Sequence, residues 1–123
     1  METRCLNDFS LPRAERLRHA KDFDRVFRQG KVLQSDFFTV MFVENGLDYN
    51  RIAVMVKKKF GKAHDRNKVR RWVKEAYRTM KNELAKGFDL IILPRKALSE
   101  VFEKLSYFFV QEELYSLLKR IGK

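Results

Sequence analysis

The sequence is poor in the residues that stabilise secreted proteins and in those that span membranes. It has one cysteine, Cys5, among 123 residues, so an internal disulfide is excluded. A lone thiol is typical of a reducing cytoplasm, and the first twenty residues lack the apolar stretch of a signal peptide. No run approaches the roughly 18 apolar residues of a membrane span. We therefore expect a cytoplasmic protein without a membrane segment.

Groups that would form a catalytic site are also scarce. The two histidines, His19 and His64, have no metal-ligand spacing with each other or with Cys5. Asp22 and Asp24 are two residues apart, so on a helix their side chains point about 200° apart. The five glycines occur singly at expected element ends and form no phosphate-binding loop. The sequence disfavours a protein nuclease with its own metal site, and we expect no catalytic or metal-binding residue in the chain.

Negative charge is in short supply relative to positive charge. Lys and Arg number 27 against 16 Asp and Glu, which gives a net charge of +11 and a pI of about 10.0. Between Lys57 and Lys81 there are eleven Lys and Arg against only Asp65 and Glu75, a local charge of +9. Such a run is often only a solvated helix face. Its concentration here favours a binding surface for a polyanion, either nucleic acid or an acidic membrane surface.

The apolar residues, 45% of the chain, are sufficient for the core of one compact domain. Residues 1–11 are expected to be a flexible N-terminal extension, and residues 12–123 to form the domain. Helical spacing of apolar residues predicts a helix over residues 20–29. Gly30 follows it at the position of a left-handed C-terminal cap.

Two strands are predicted after this helix. Residues 37–43 are rich in aromatic and β-branched side chains, Asn45-Gly46 signals a turn, and residues 51–58 form the second strand of an antiparallel hairpin. The second strand alternates between two faces. One face, expected in the core, consists of Ile52, Val54 and Val56, and the other, expected to be partly open, of Ala53, Met55 and Lys57.

The long helix is predicted over residues 66–84, with Asp65 as its N-cap. Its apolar stripe consists of Val69, Val73, Ala76, Tyr77, Met80 and Leu84. Beside it lies a polar and basic stripe of Asn67, Arg70, Arg71, Lys74, Arg78 and Lys81. Cations one turn apart on a helix are spaced to contact successive phosphates.

The remaining segments complete an α+β sandwich. Residues 88–93 are almost entirely apolar and predict a central strand, which Pro94 ends. A helical turn over residues 99–104 leads to a last helix over residues 107–121, capped by Ser106. The core stripe of this helix consists of Val110, Leu114, Leu117, Leu118 and Ile121.

One segment is specific enough to suggest a family. Residues 58–71, with the sequence KKFGKAHDRNKVRR, strongly resemble the signature of the bacterial ribonuclease P protein subunit. That signature is a lysine-rich strand end, a glycine-containing crossover loop and an Arg-Asn-x-x-basic-Arg helix start. The resemblance extends over residues 12–121. Its further segments are Arg16-Leu17, Asp22-Phe23, Val26 to Gly30, Lys74-Glu75 and Pro94-Arg95-Lys96.

The resemblance implies a particular form of the sandwich. It is a single-domain α-β-β-β-α-β-α fold, ribosomal protein S5 domain 2-like, with a left-handed strand-helix-strand crossover around residues 66–84. Physical reasoning alone would favour a right-handed crossover. The resemblance also implies a short extra strand over residues 31–34.

The resemblance also implies a function. In this family a catalytic RNA with bound Mg²⁺ removes the 5′ leader from precursor tRNA, and the protein subunit binds both that RNA and the leader. The chain would be the accessory subunit of this tRNA-processing endoribonuclease, with Mg²⁺ held mainly by the RNA and the substrate. The RNA-binding residues would be Lys57, Lys58, Lys59, Arg66, Asn67, Lys68, Arg70, Arg71, Lys74 and Arg78. The leader groove would be lined by Phe23, Phe27, Met41 and Met55, with Lys59 at its edge.

Two alternatives stay open. A structural or ribosomal RNA-binding protein without a processing role would have the same composition, and only the signature around Arg66 to Arg71 favours ribonuclease P. By pattern alone, Phe23 and Phe27 are more often core residues than platforms for unpaired bases. Of the two, we expect Phe27 to lie nearer the core.

Overall fold

The computed structural model describes residues 12–122, so the predicted extension over residues 1–11 lies outside the described residues. The strands are β1 (Lys31–Gln34), β2 (Phe38–Glu44), β3 (Arg51–Val54) and β4 (Phe88–Pro94). The helices are α1 (Ala20–Gln29), α2 (Ala63–Met80), α3 (Lys96–Val101) and α4 (Tyr107–Leu118). Short 3₁₀ turns occur at Arg13–Glu15, Lys58–Phe60, Lys81–Glu83 and Phe102–Lys104. No helix of residues 12–122 has the length and apolar character needed to cross a membrane.

The four strands form one mixed sheet in the order β1-β2-β4-β3. Strand β4 pairs antiparallel with β2 and parallel with β3, and β1 is antiparallel to β2. The central place of β4 and the short strand β1 confirm the expectations for residues 88–93 and 31–34. Because β3 and β4 are adjacent and parallel, α2 is the crossover connection between them.

The predicted hairpin of β2 and β3 is wrong, because β4 lies between them. Strand β4 is apolar on both faces, and Leu90, Ile91 and Ile92 are fully buried, so it is stable only with a strand on each side. The loop after β2 also bonds to the start of β4 rather than closing a tight turn. Asn45 N–H donates to the Gly87 carbonyl at 2.8 Å.

One face of the sheet carries the main core, under α2 and α4. The predicted apolar stripes of both helices are buried there, together with the inward side chains of β2, β3 and β4. Strand β3 is shorter than expected, but the Met55 N–H still donates to the Ile92 carbonyl at 3.0 Å. Ile52 and Val56 face this core and Ala53 faces the other side, so the predicted alternation is confirmed.

The helix ends differ from the prediction at several places, since α2 ends at Met80 rather than at residue 84 and α4 ends at Leu118 rather than at residue 121. Gly30 has φ −73°, so it is not a left-handed cap. A Cβ at this position would lie 2.4 Å from the Val26 carbonyl oxygen, so lack of space explains the glycine. Helix α2 begins at Ala63 rather than Arg66, which places Asp65 in the first turn instead of at the cap. The cap at Ser106 is confirmed, since its Oγ accepts from the Phe109 N–H at 3.3 Å.

The other face of the sheet carries α1 and a small second core. Leu17, Val26 and Ile91 are its buried members. Partly buried side chains around them are Phe23, Met41, Val43, Ala53 and Leu93. Because this core is small, the position of α1 depends on additional polar contacts.

A cluster of buried charges supplies those contacts at one end of α1. The Asp89 carboxylate is fully buried, and Arg25 Nη2 from α1 donates to it at 2.6 Å. Arg51 Nε and Nη2 donate to both of its oxygens at 2.8 and 2.7 Å, which raises the pKa of Arg51 above its ordinary value. Asn45 Nδ2 donates at 3.0 Å, and Arg51 also lies 3.4 Å from Asp22 of α1. The cluster fixes α1 to β3 and β4.

The variant Asp89→Ala tests this cluster. Removing one partner of a buried ion pair leaves uncompensated charge, so the free energy of unfolding is expected to fall by about 3–5 kcal/mol. Urea denaturation followed by circular dichroism measures the change. The control is Asp24→Ala, which removes an exposed ion pair between Asp24 and Arg28 of α1. It is expected to lower the free energy of unfolding by about 0.5 kcal/mol or less. Equal losses in the two variants would contradict a special role for Asp89.

Candidate nucleic-acid interface

An apolar surface lies beside α1, at the end of the sheet away from Asp89. The sheet register places Met41 and Ala53 on either side of Ile91, and Thr39 beside Leu93 in the next row. Phe23 packs against the same cluster from α1. Met55, 39% exposed, follows Ala53 on this face. Phe23 and Met41 pack around the same small core, and Phe27 follows Phe23 by one helical turn. We call the region of Phe23, Phe27, Met41 and Met55 the α1 surface.

The two phenylalanines of the α1 surface differ in exposure. Phe27 is 48% exposed, whereas Phe23 is only partly exposed and packs in the second core. The expectation that Phe27 lies nearer the core is therefore wrong. The position that faces the sheet is taken by Val26, which is 1% exposed, so the side chain of Phe27 is turned outward.

The predicted RNA-binding cations differ from the cations that hold the fold. Arg25, Arg51 and Lys81 are each bound to a carboxylate. Eight of the predicted cations make no ion pair with a carboxylate within residues 12–122. These are Lys57, Lys58, Lys59, Arg66, Lys68, Arg70, Arg71 and Lys74. Their charge is not neutralised by the described part of the chain, so it remains available to a polyanion.

Several of these groups are oriented by neighbours on or before α2. Arg70 Nη1 donates to Asn67 Oδ1 at 2.9 Å, and Arg66 Nε donates to the Gly61 carbonyl at 3.2 Å. Arg78 differs, because it donates twice to the Glu75 carboxylate, at 2.9 and 2.7 Å. Of the predicted cations, Arg78 is therefore the one that a described carboxylate partly neutralises.

The segment before α1 adds a cation that the sequence patterns did not assign to this surface. The Leu17 N–H donates to the Ile52 carbonyl at 2.9 Å, so residues 16 and 17 lie along the outer edge of β3. Lys81 Nζ lies 2.9 Å from Glu15, which ties this segment to the end of α2. Arg16 is thereby brought close to Lys74. In the sequence, Arg16 was indicated only by the resemblance of Arg16-Leu17 to the family. That resemblance does not say where Arg16 lies in the fold.

Lys74 is electrostatically strained by this arrangement. Burial lowers its pKa below the ordinary value, and the nearby charges of Arg16 and Arg70 lower it further. The positive charges of Arg16, Arg70 and Lys74 are thus held together on one side of α2. A phosphate placed among them would relieve the repulsion.

Lys68 lies apart from this group, on another flank of α2. Its Nζ is 4.9 Å from the centroid of the Trp72 ring and 5.6 Å from that of Phe102. The structure therefore divides the predicted cations of α2 between two flanks. No sequence pattern predicted a binding role for Trp72, which lies near the apolar stripe of α2.

Lys57, Lys58 and Lys59 link the two surfaces. They follow Met55 in the chain and precede α2, and all three are exposed. The 3₁₀ turn that contains Lys58 and Lys59 ends at the buried Phe60. The Phe60 ring packs against the Phe102 ring, with 5.6 Å between the ring centroids. One end of the sheet thus carries an exposed apolar surface, a run of lysines and the start of the cationic helix.

The sequence matches a family model and curated relatives over almost its whole length. The model described as Ribonuclease P matches residues 11–122. The ribonuclease P protein component of Thermotoga maritima is 52% identical over 112 residues, which cover 91% of this chain and 96% of the relative. That of Petrotoga mobilis is 38% identical over 112 residues, covering 91% and 95%.

Solved structures agree with the sequence relatives. The RNase P protein from Thermotoga maritima superimposes with a TM-score of 0.84 at 50% identity, covering 89% of this chain and 99% of that one. The RNase P protein of Staphylococcus aureus superimposes with a TM-score of 0.78 at 26% identity, covering 89% and 97%. The chain therefore belongs to the family of bacterial ribonuclease P protein components.

Proposed function

We propose that the chain binds the catalytic RNA of ribonuclease P through the cations of α2 and the 5′ leader of precursor tRNA through the α1 surface. The RNA carries the catalysis, and the protein contributes binding and positioning. The observation that carries the proposal is that one end of the sheet carries an exposed apolar surface, a run of lysines and the start of α2, on a domain in which eight predicted cations have no carboxylate partner within residues 12–122.

The cations of α2 suit the phosphate backbone of a folded RNA. Their side chains recur about one turn apart along the helix, and phosphate contacts supply most of the affinity of basic proteins for RNA. The Asn67 to Arg70 hydrogen bond limits the freedom of that guanidinium, so less entropy is lost when it binds.

The α1 surface suits unpaired nucleotides. Phe23 and Phe27 lie one helical turn apart, and bases stack on aromatic side chains only where they are not paired. Within a precursor tRNA the leader is an unpaired segment, whereas the bases of the helical stems are inaccessible. The chemistry of this surface therefore supports leader binding.

Magnesium is expected on the RNA rather than on this surface. The carboxylates beside α1 in the fold, Asp22 and Asp89, are already engaged by arginines and do not suit a metal ion. In the assembled enzyme Mg²⁺ would supply charge neutralisation and an activated water at RNA phosphates. The cations of α2 would lower the Mg²⁺ concentration that assembly requires.

The variant Lys74→Gln separates binding from stability. Since the pKa of Lys74 is lowered in the folded state, its charge destabilises the fold at every pH below the unfolded value of 10.5. Removing the charge is expected to raise the melting temperature slightly. Affinity for ribonuclease P RNA should fall about five-fold, and the log-log salt slope should become shallower by about 0.7 to 0.9.

Lys86→Gln is the control for Lys74→Gln. Lys86 is exposed and follows the end of α2, and its replacement is expected to leave both quantities unchanged. Thermal denaturation and filter binding at several salt concentrations measure the two effects. A lower melting temperature with unchanged RNA affinity would show that Lys74 is a structural residue.

The variant Phe27→Ala tests leader binding in the assembled enzyme. Cleavage is compared for a precursor tRNA with a one-nucleotide leader and one with a leader of several nucleotides. The preference for the longer leader is expected to fall by about five-fold or more, the contribution of one stacked base. Because Phe27 is half exposed, its truncation should cost well below the roughly 3–5 kcal/mol of a buried phenylalanine. Phe23→Ala should affect both selectivity and stability.

Phe108→Ala is the control for leader binding, since this phenylalanine is 72% exposed on α4, on the opposite face of the sheet. It should leave the leader preference unchanged. Reactions without ribonuclease P RNA should yield no mature 5′ end. Equal losses on both substrates in the Phe27→Ala variant would contradict leader binding, and specific cleavage by the protein alone would contradict an accessory role.

A further inference from the structure

A cleft of about 250 Å³ opens between α2 and α4, lined by Arg71, Trp72, Glu75 and Tyr107. It lies on the face of the sheet opposite the α1 surface. We propose that this cleft binds one unpaired nucleotide of the catalytic RNA, with the base against Trp72 and Tyr107 and the phosphate at Arg71. The inference rests on the proposal that α2 binds that RNA, and it adds a base contact to a surface that otherwise contacts phosphates.

The aromatic side chains of the cleft belong to a row of rings that runs from the core to the solvent. Phe102 is 3% exposed and lies 5.2 Å from Trp72, measured between ring centroids. Trp72 lies 6.2 Å from Tyr107, which lies 5.5 Å from Phe108. Core packing accounts for the buried end of the row. Trp72 and Tyr107 pack against the main core but are only partly buried, so part of each ring faces the cleft, and Phe108 is 72% exposed.

The cations at the cleft give it the charge that a nucleotide requires. The Arg71 side chain is exposed and makes no hydrogen bond or ion pair within residues 12–122. Lys68 lies over the Trp72 ring, with Nζ 4.9 Å from its centroid. Cations beside aromatic faces are the combination that binds the phosphate and the base of a single-stranded nucleotide together. The cleft also adjoins the cationic surface of α2, which favours RNA over an apolar peptide as its occupant.

Glu75 gives the cleft a hydrogen-bond acceptor for the base. Arg78 donates to both carboxylate oxygens, at 2.9 and 2.7 Å, so the negative charge is compensated and does not repel a nearby phosphate. Each oxygen still has a lone pair that accepts a hydrogen bond. All four bases can donate to it, adenine, cytosine and guanine through an exocyclic amino group and uracil through its N3–H. We therefore expect Glu75 to fix the orientation of the base.

The tryptophan itself reports on the site, because Trp72 is the only tryptophan of the chain. The full-length protein is titrated with ribonuclease P RNA, and Trp72 emission is recorded with and without acrylamide. A base in the cleft should quench the emission and reduce the acrylamide quenching constant by about two-fold or more. This readout requires no variant and is insensitive to any loss of folding by mutation.

A pair of variants on α4 provides the second measurement. Tyr107→Ala should weaken binding to ribonuclease P RNA by about 5- to 150-fold, the range for one stacked base. Tyr115→Ala is the matched control, since Tyr115 is also a partly exposed tyrosine of α4 but bonds to Glu83 away from the cleft. It should bind as the unaltered protein does. Circular dichroism is used to check that both variants are folded.

The outcomes separate this inference from the proposed function. If the RNA binds but Trp72 remains fully accessible to acrylamide, or if Tyr107→Ala binds with unchanged affinity, the cleft holds no nucleotide. In either case the proposed function stands on the cations of α2. If ribonuclease P RNA does not bind the unaltered protein at all, the proposed function itself is wrong.

Discussion

The buried carboxylate of Asp89 is the interaction on which the arrangement of this protein depends. It joins Arg25 of α1 to Arg51 of β3 at a point where the second core is too small to hold a helix by packing alone. Since an unpaired buried charge is strongly destabilising, the cluster specifies one position for α1. These contacts hold the helix near the Asp89 end of the sheet. Towards the other end, among residues 12–122, Phe27 and Met55 are exposed, and the lysines that lead into α2 follow Met55 in the chain.

Positive charge has two separate uses in this fold. Arginines and lysines that are bound to carboxylates connect α1, β3 and the segment before α1 to the rest of the domain. Cations without such partners are concentrated on α2 and in the lysine run before it. Within the second group, the charge of Lys74 has a cost in stability, because burial and the charges of Arg16 and Arg70 lower its pKa. RNA phosphates would relieve repulsion of this kind, so the proposed binding and the stability of the fold would place opposite demands on the same helix.

Local sequence patterns predicted the helices and strands better than they predicted which of these elements lie next to each other. Helical spacing located α1 and the buried stripes of α2 and α4, because the period of apolar residues reports which side of an element faces a core. The pairing of β2 with β3 was wrong, since the insertion of β4 depends on a segment about forty residues away and leaves no local signal. The same limit applies to the site. Composition and the signature gave the cations of α2, but the approach of Arg16 to Lys74 and the cleft at Trp72 and Tyr107 arise only from packing between distant elements.

The central claim is that the leader and the catalytic RNA occupy different surfaces of one small domain. Photo-cross-linking in the assembled enzyme tests it most directly, with p-benzoylphenylalanine placed at position 27 in one sample and at position 71 in another, and with a precursor tRNA bound. The account predicts that the probe at position 27 cross-links to leader nucleotides, whereas the probe at position 71 cross-links to ribonuclease P RNA. Cross-links from both positions to the same RNA, with none to the leader from position 27, would contradict it.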